Sequence, residues 1–531
     1  MPICGANLGV EGDRRAGDSF DLVVIGGGIN GVGIARDAAG QGLKVLLLER
    51  ADLAGATSSA SSKLIHGGLR YLEQREFRLV RESLTEREVL WAAAPHIIRP
   101  LRFVLPVRAG LRSTWALRAG LFLYDHLGGR NRLPSTGVLR RGRDAAFAAL
   151  QERYHLAFEY SDCWADDARL VVLNALDAHE RGATIAVGCS FVEARRESGL
   201  WSIEIESQDG KRRALRARAL VNAAGPWVEQ VLAGVGVPRR SALRLVKGSH
   251  IVVPQLYAGQ HAYTLQSLDG RVIFTIPFQE RFTLIGTTDV PCGSEPLPAR
   301  VSAEEIDYLC RAVADYLRVP ITPHQVVWQY AGVRPLYDNG QVSASTVTRD
   351  YVFDLDAPER AAPVLSVFGG KLTTYRRLAE HALSEVLPRL GISARRWTRA
   401  APLPGGDLPG RDLEAFTGEQ LARYAFAPAA MVRRMCAAYG TRTERVLGGV
   451  RRLSDLGAEI APQLFETELQ YLRSAEWARC AEDVLWRRSK LGLSLGPESA
   501  ACLDRWFAAD RVPRGDEISL SLRAGAQHAT R

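Results

Sequence analysis

The stretch Phe20–Glu49, "FDLVVIGGGINGVGIARDAAGQGLKVLLLE", decides the fold. Phe20 to Ile25 is an unbroken apolar run, the pattern of a strand buried on both faces of a parallel sheet. The chain then turns through Gly26-x-Gly28-x-x-Gly31, and small residues carry a helix to about Gly42. A second apolar run, Lys44 to Leu48, predicts a neighbouring strand that ends at Glu49. Gly26 permits the tight turn, Gly28 lets the main chain approach a pyrophosphate, and Gly31 lets the helix lie close to the strand. The helix start, with the amides of Gly27, Ile29 and Asn30, is where a phosphate is stabilised. Glu49, 23 residues past Gly26, is placed to accept hydrogen bonds from an adenosine ribose. Strand, turn, helix and terminal acid in register predict a dinucleotide site. These residues alone do not separate NAD from FAD.

Further along, three segments tilt the reading towards FAD. "ATSSASSK" (Ala56–Lys63) supplies the hydroxyls of Thr57, Ser58 and Ser59 soon after the acid. "RALVNAAGPWVEQV" (Arg218–Val231) reads as a strand followed by Ala224-Gly225-Pro226, a turn able to pass beside a cofactor. "VLSVFGGKLTTYRRLAEHAL" (Val364–Leu383) reads as a strand, a Gly369-Gly370 turn and a helix. The amides of that helix start, at Leu372 and Thr373, suit negative charge developing on a reduced flavin. A chain that returns to its cofactor early, midway and late implies a large prosthetic group held permanently.

The remaining sequence bounds the architecture. A length of 531 residues implies two or three domains, and 47% apolar with 24% charged residues is ordinary for a globular protein. The eight cysteines are scattered with no C-x-x-C pair, which argues against a zinc site or disulfide framework and fits a reducing compartment. Residues 1–19 lack the apolar run of a secretory signal and read as a disordered leader. No segment approaches the roughly 18 consecutive apolar residues of a membrane span. The predicted fold class is α/β. A discontinuous Rossmann-like FAD-binding domain takes 20–97, 150–240 and 360–390, and an α+β substrate domain takes 241–359. "WTRAAPLPGGDLPGRD" (Trp397–Asp412) reads as a linker to an all-α C-terminal domain over 413–520.

The net charge of +9 is concentrated. Between Arg99 and Arg143 stand ten arginines and one aspartate, Asp125, so this window alone carries the excess of the whole chain. Inside it "RSTWALRAGLFLYDHLGGRNR" (Arg112–Arg132) interleaves Trp115, Leu121, Phe122 and Tyr124 with the cations. We read 98–149 as a basic membrane-facing segment resting on anionic lipid. A solvated basic face on a partly buried helix is the plainer alternative. No DNA- or RNA-binding module accompanies the charge, so nucleic acid is not an expected partner.

Together "GGGINGVGIARDAAGQGLKVLLLE", "ATSSASSKLIHGGLRYLE", "FEYSDCWADDARLV", "LVNAAGPWV", "KGSHIVVP", "IGTTDV", "GVRPL", "TRDY" and "FGGKLTTYR" resemble the aerobic FAD-dependent glycerol-3-phosphate dehydrogenases, within the amino-acid-oxidase-like FAD superfamily. The resemblance continues through "SDLG" and "DVLWRRSKLGL" and so covers nearly the whole chain. It implies FAD as cofactor, sn-glycerol 3-phosphate as substrate and a membrane quinone as electron acceptor. It also implies peripheral attachment to the cytoplasmic face of the inner membrane, and it allows a homodimer. The leader before Phe20 is longer than the family's pattern implies.

Oxidising a secondary alcohol beside a phosphate requires cations for the phosphate, an acceptor for the hydroxyl proton, and a carbon-bound hydrogen facing the flavin. "SSKLIHGGLRYLE" (Ser61–Glu73) offers Arg70 and Tyr71 for phosphate oxygens and His66 for the proton. By resemblance, Arg70, Tyr71, Arg334, Arg349 and Lys371 line the substrate pocket, with Arg334 facing the reacting hydroxyl. His66, or His250 in "KGSH", would be the proton acceptor; the sequence does not choose between them, and an arginine-assisted route to water stays open. An oxidase that passes electrons to oxygen, and a non-catalytic flavin-binding module that recruits partners, are the competing readings.

Overall fold

The computed structural model describes residues 19–108, 110–129, 132–293, 299–338 and 350–509. The opening run forms the strand Ser19–Ile25, in which Leu22, Val23 and Val24 are completely buried. Full burial of each such side chain is worth about 1.5–3 kcal/mol. The strand sits inside an eight-stranded sheet, flanked in parallel by Arg212–Asn222 on one side and Val45–Glu49 on the other. Val364–Gly369 extends the parallel set beyond Arg212–Asn222, and Thr184–Val187 extends it beyond Val45–Glu49. The helix Ile29–Gly40 packs on this sheet between the helices Asp167–Glu180 and Tyr375–Val386. Its glycines set the distances. A Cβ at Gly31 would lie 1.9 Å from the Gly26 carbonyl oxygen, and one at Gly33 would lie 2.7 Å from the Tyr375 ring.

A second, ten-stranded sheet is mostly antiparallel and forms the opposite wall of the molecule's main cavity. The hairpin expected from "RVIFTIPFQERFTLIGTTDV" is there: Val272–Phe278 pairs antiparallel with Phe282–Gly286. Leu243–Pro254 pairs with Trp328–Tyr337 over most of both strands, which places His250 opposite Tyr330 and Val246 opposite Arg334.

Four expected boundaries are corrected by the sheets. The segment 98–149 is not separate, because its first strand, Ile98–Pro106, lies between Ala262–Gln266 and Leu156–Ala165 in the second sheet. Phe103, Val104 and Leu105 bury there, while Arg99 lies over the Trp164 ring and Arg102 bonds Glu159 at 2.6 Å. Two of that window's arginines are thus engaged by the neighbouring strand. Leu156–Ala165, expected in the FAD domain, also belongs to the second sheet, whereas Tyr351–Asp356, expected in the substrate domain, is the edge strand of the first. Ser19, expected in the leader, already belongs to the first strand, and 1–18 lie outside the described residues.

The C-terminal helices share their own core, from Leu408 and Phe416 to Leu503 and Phe507. They are not purely helical, since Glu459–Ala461 and Leu464–Phe465 form a small antiparallel pair. The Pro- and Gly-rich stretch before them is packed rather than loose. Leu403 donates its amide to the Ala93 carbonyl, and a Cβ at Gly405 would lie 2.0 Å from the Tyr439 carbonyl oxygen.

Candidate active site

One cavity of about 860 Å³ runs between the two sheets. Its first wall is main chain. Gly26 turns with φ +114°, and a Cβ there would lie 2.5 Å from the Ala223 carbonyl oxygen, so the turn accepts only glycine. Gly28, Ile29 and Asn30 then present the start of the helix Ile29–Gly40 to the cavity. Glu49 closes this end, its carboxylate accepting from the Gly27 amide at 2.7 Å and the Ala51 amide at 2.8 Å. Burial pushes the Glu49 carboxyl above its ordinary value, and the two amides oppose that shift. Across the cavity mouth Arg50 lies over the Trp227 ring at 4.0 Å.

The same wall continues at the sheet's other parallel strands. Ala224 and Gly225 line it after Arg212–Asn222; Gly369, Gly370, Leu372 and Thr373 line it after Val364–Gly369. Gly369 and Gly370 both have positive φ, and Asn30 ties the two turns together by donating to the Gly369 carbonyl at 3.2 Å. The expected hydroxyls turn mostly inward to protein. Ser58 Oγ accepts from the Ile29 amide at 3.0 Å, Thr57 donates to the Val333 carbonyl at 2.6 Å, and Ser59 donates to the Ala56 carbonyl at 3.3 Å. Thr57 and Ser58 still line the cavity, whereas Ser59, Gly27 and Gly31 stand behind its surface.

The opposite wall is built from side chains. Arg334 is held by Asp289 at 2.5 Å, by Thr287 Oγ1 at 2.7 Å and by the Thr288 carbonyl at 3.3 Å. His250, 1% exposed, shares a 2.9 Å hydrogen bond between Nε2 and Ser62 Oγ and stacks on Tyr330. Burial, together with the cations Arg334 and Lys63, holds the His250 imidazole well below its ordinary value, so the ring is neutral at pH 7. Lys371 places its ammonium 3.8 Å from the Tyr71 ring centroid, and Arg70 lines the same cavity. Gly68, at φ +78°, makes the turn that brings Tyr71 there. His66 faces the cavity from the preceding turn; its amide bonds Thr373 Oγ1 at 3.3 Å and its ring meets Phe274 edge-on. Arg70, Tyr71, His66, His250, Arg334 and Lys371 therefore share one space, while Arg349 lies outside the described residues.

Several site residues escaped the sequence reading. Asp289 and Thr287, which fix Arg334, sit in the quoted "IGTTDV", but nothing in that stretch points to a partner some 45 residues away. Lys63 is completely buried, its ammonium 2.8 Å from Asp167 and 3.0 Å from the Ser59 carbonyl. It braces the loop that carries Ser58 and Ser62, and Asp167 stands in the quoted "ADDARLV".

A glycine-lined helix start, an acid at the ribose distance and a long groove suit a dinucleotide. The amides after Gly369-Gly370 at its far end suit a flavin ring rather than a nicotinamide alone. Residues 21–376 match the family described as FAD dependent oxidoreductase. The chain belongs to the FAD-dependent oxidoreductases. Residues 396–509 match the C-terminal domain of alpha-glycerophosphate oxidase. Among curated relatives, the glycerol-3-phosphate dehydrogenase of Pseudomonas aeruginosa is 50% identical over 93% of this chain and 96% of its own. The D-erythritol 1-phosphate dehydrogenase of Brucella abortus is also 50% identical, over 92% of this chain and 98% of its own. The glycerol-3-phosphate dehydrogenase of Bacillus halodurans, solved with FAD, superposes with a TM-score of 0.74 at 27% identity, covering 98% of this chain and 94% of that one. FAD is accordingly the cofactor of this fold, and the resemblance drawn from the motifs holds at the level of the family.

Proposed function

We propose that this FAD enzyme oxidises the secondary hydroxyl of sn-glycerol 3-phosphate, giving dihydroxyacetone phosphate, and passes the electrons to a membrane quinone. The observation that carries the reading is that two sets of cationic side chains line the cofactor cavity. Lys371 with Arg70 and Tyr71 forms one group, and the clamped Arg334 forms the other. A phosphorylated alcohol needs both, one for the dianion and one for the oxygen that loses its proton. Bound FAD supplies the hydride acceptor. Arg334 stabilises charge developing on the hydroxyl oxygen, and Asp289 and Thr287 keep its guanidinium from swinging away. We assign the proton to His66, whose side chain lines the same cavity as Arg334, since burial and two cations oppose a further positive charge on His250. His250 instead orients the loop at Ser62.

Quinone delivery is supported by the helix Thr114–Leu127. Its inner face puts Leu117 and Gly120 on the cavity, while Trp115 (79% exposed) and Phe122 (64% exposed) face outward with Arg118 beside the Trp115 ring. An aromatic and cationic face suits anionic lipid, and it abuts the cavity that a lipid-soluble acceptor must reach. We therefore assign this face to peripheral attachment at the cytoplasmic side of the inner membrane. Among the described residues no helix is long and apolar enough to cross a membrane.

Anaerobic titration of the yellow protein tests the reading. Glycerol 3-phosphate is expected to bleach the flavin and a quinone to restore it. Bleaching by D-erythritol 1-phosphate alone would transfer the assignment to the longer alcohol, the activity carried in the name of the Brucella relative. In air, stoichiometric peroxide without need of quinone would make the protein an oxidase.

A further inference from the structure

The motif "DVLWRRSKLGL", Asp483–Leu493, takes no part in the chemistry above and lies in the C-terminal domain. It begins as a π-helical turn, Asp483–Arg488, a form that commonly marks functional positions. Its side chains leave their own domain at three points. Arg488, whose side chain is completely buried, grips Asp52 through both terminal nitrogens at 2.7 and 2.8 Å, and Arg487 joins at 2.5 Å. Asp52 stands between Ala51, which bonds Glu49, and Ala54, whose amide donates to the Gly27 carbonyl at 3.1 Å. Lys490 reaches Asp166 at 3.2 Å, next to the Asp167 that holds Lys63 and Ser61.

The third point is aromatic. The Trp486 ring stacks on Trp328 with centroids 4.3 Å apart. Trp328 leans on Tyr330 at 4.8 Å, and Tyr330 stacks on His250 at 4.8 Å. Tyr330 also donates its hydroxyl to the Ser61 carbonyl at 2.8 Å. One short segment thus bears on both ends of the loop from Arg50 to Lys63, and that loop lines the cofactor cavity from the ribose end to His250.

We infer that Trp486, Arg488 and Lys490 are positioning residues through which the C-terminal domain holds the FAD-binding loop in its cofactor-ready shape. Loop order that the protein supplies in advance does not have to be paid for on binding, so these residues set cofactor affinity without touching the cofactor. The inference rests on membership in the FAD family and not on the identity of the substrate.

The test uses the full chain, stripped of FAD and titrated with FAD itself. Trp486→Ala is expected to raise the FAD Kd about tenfold and to change the visible circular dichroism of the bound flavin, with Trp486→Phe restoring both. The apoprotein's melting temperature should stay close to wild type, while the rise in melting temperature that FAD confers shrinks. If the alanine variant does not fold, Trp486→Leu, which keeps apolar bulk without the ring, carries the same expectation. The double replacement Asp52→Asn with Arg488→Gln, which leaves no buried charge unpaired between them, should weaken FAD in the same way. An FAD Kd within twofold of wild type and an unaltered flavin spectrum in these folded variants would overturn the inference. So would a melting temperature that falls equally with and without FAD, because that marks mere packing.

Discussion

The two walls of the cavity are made differently. The cofactor wall is main chain shaped by glycines, and its tolerances are those of atoms in contact: a carbon added at Gly31 would land 1.9 Å from a carbonyl oxygen. The opposite wall, which we assign to the substrate, carries charged and aromatic side chains, among them Arg334, fixed by Asp289. A wall of the first kind has no graded response to change. One of the second kind can lose a contact and keep its shape.

The largest effect should come from the glycine wall. Gly31→Ala is expected to yield protein that purifies colourless, read as the ratio of absorbance at flavin and protein wavelengths; a yellow, active variant would break the contrast. Next, Arg334→Lys keeps the charge and loses the planar fork, and should lower kcat by about a hundredfold with KM changed by less than about threefold. Lys371→Met should raise the KM for glycerol 3-phosphate by about thirtyfold while leaving unphosphorylated glycerol unaffected. Equal losses on both compounds would remove Lys371 from the phosphate.

A replacement away from both walls sharpens the comparison further. His96 is buried against Gly405 and Gly440 with no hydrogen-bond partner on either ring nitrogen among the described residues. Burial, with Arg169 and Arg442 nearby, pushes it down to about 3. Below its ordinary value near 6.5 the unfolded chain binds a proton that the folded chain refuses, so stability falls as pH falls. The loss is about 2 kcal/mol by pH 5. His96→Gln should flatten that part of the pH–stability curve, measured by urea unfolding, without altering the flavin spectrum.

The same contrast explains how much could be read in advance. The glycine wall was legible because a turn that admits only glycine leaves a fixed spacing, and Glu49 terminates it at the expected distance. Arg70, His66, His250, Arg334 and Lys371 were legible as chemistry and through family motifs, and the structure gathers them in one cavity. What fixes them was not legible. Asp289, Lys63, Asp167 and Trp486 act across long separations in the chain, and nothing in local periodicity reports a partner so remote. The strand Ile98–Pro106 was misjudged for a related reason. Its two arginines, Arg99 and Arg102, stand among buried residues and find partners on a neighbouring strand, so a count of charge mistook an interior strand for a surface one.

The order of strands in the first sheet has a consequence for biosynthesis. Ser19–Ile25 leaves the ribosome well before Val364–Gly369, which completes the parallel set and follows about 345 residues later. At roughly 5–20 residues per second, translation leaves the nascent apolar strand without its full set of neighbours for about twenty seconds to a minute. The flavin pocket therefore cannot be complete while the chain is half made. Chaperones have that interval in which to shield the exposed edge, and cofactor capture belongs to its end.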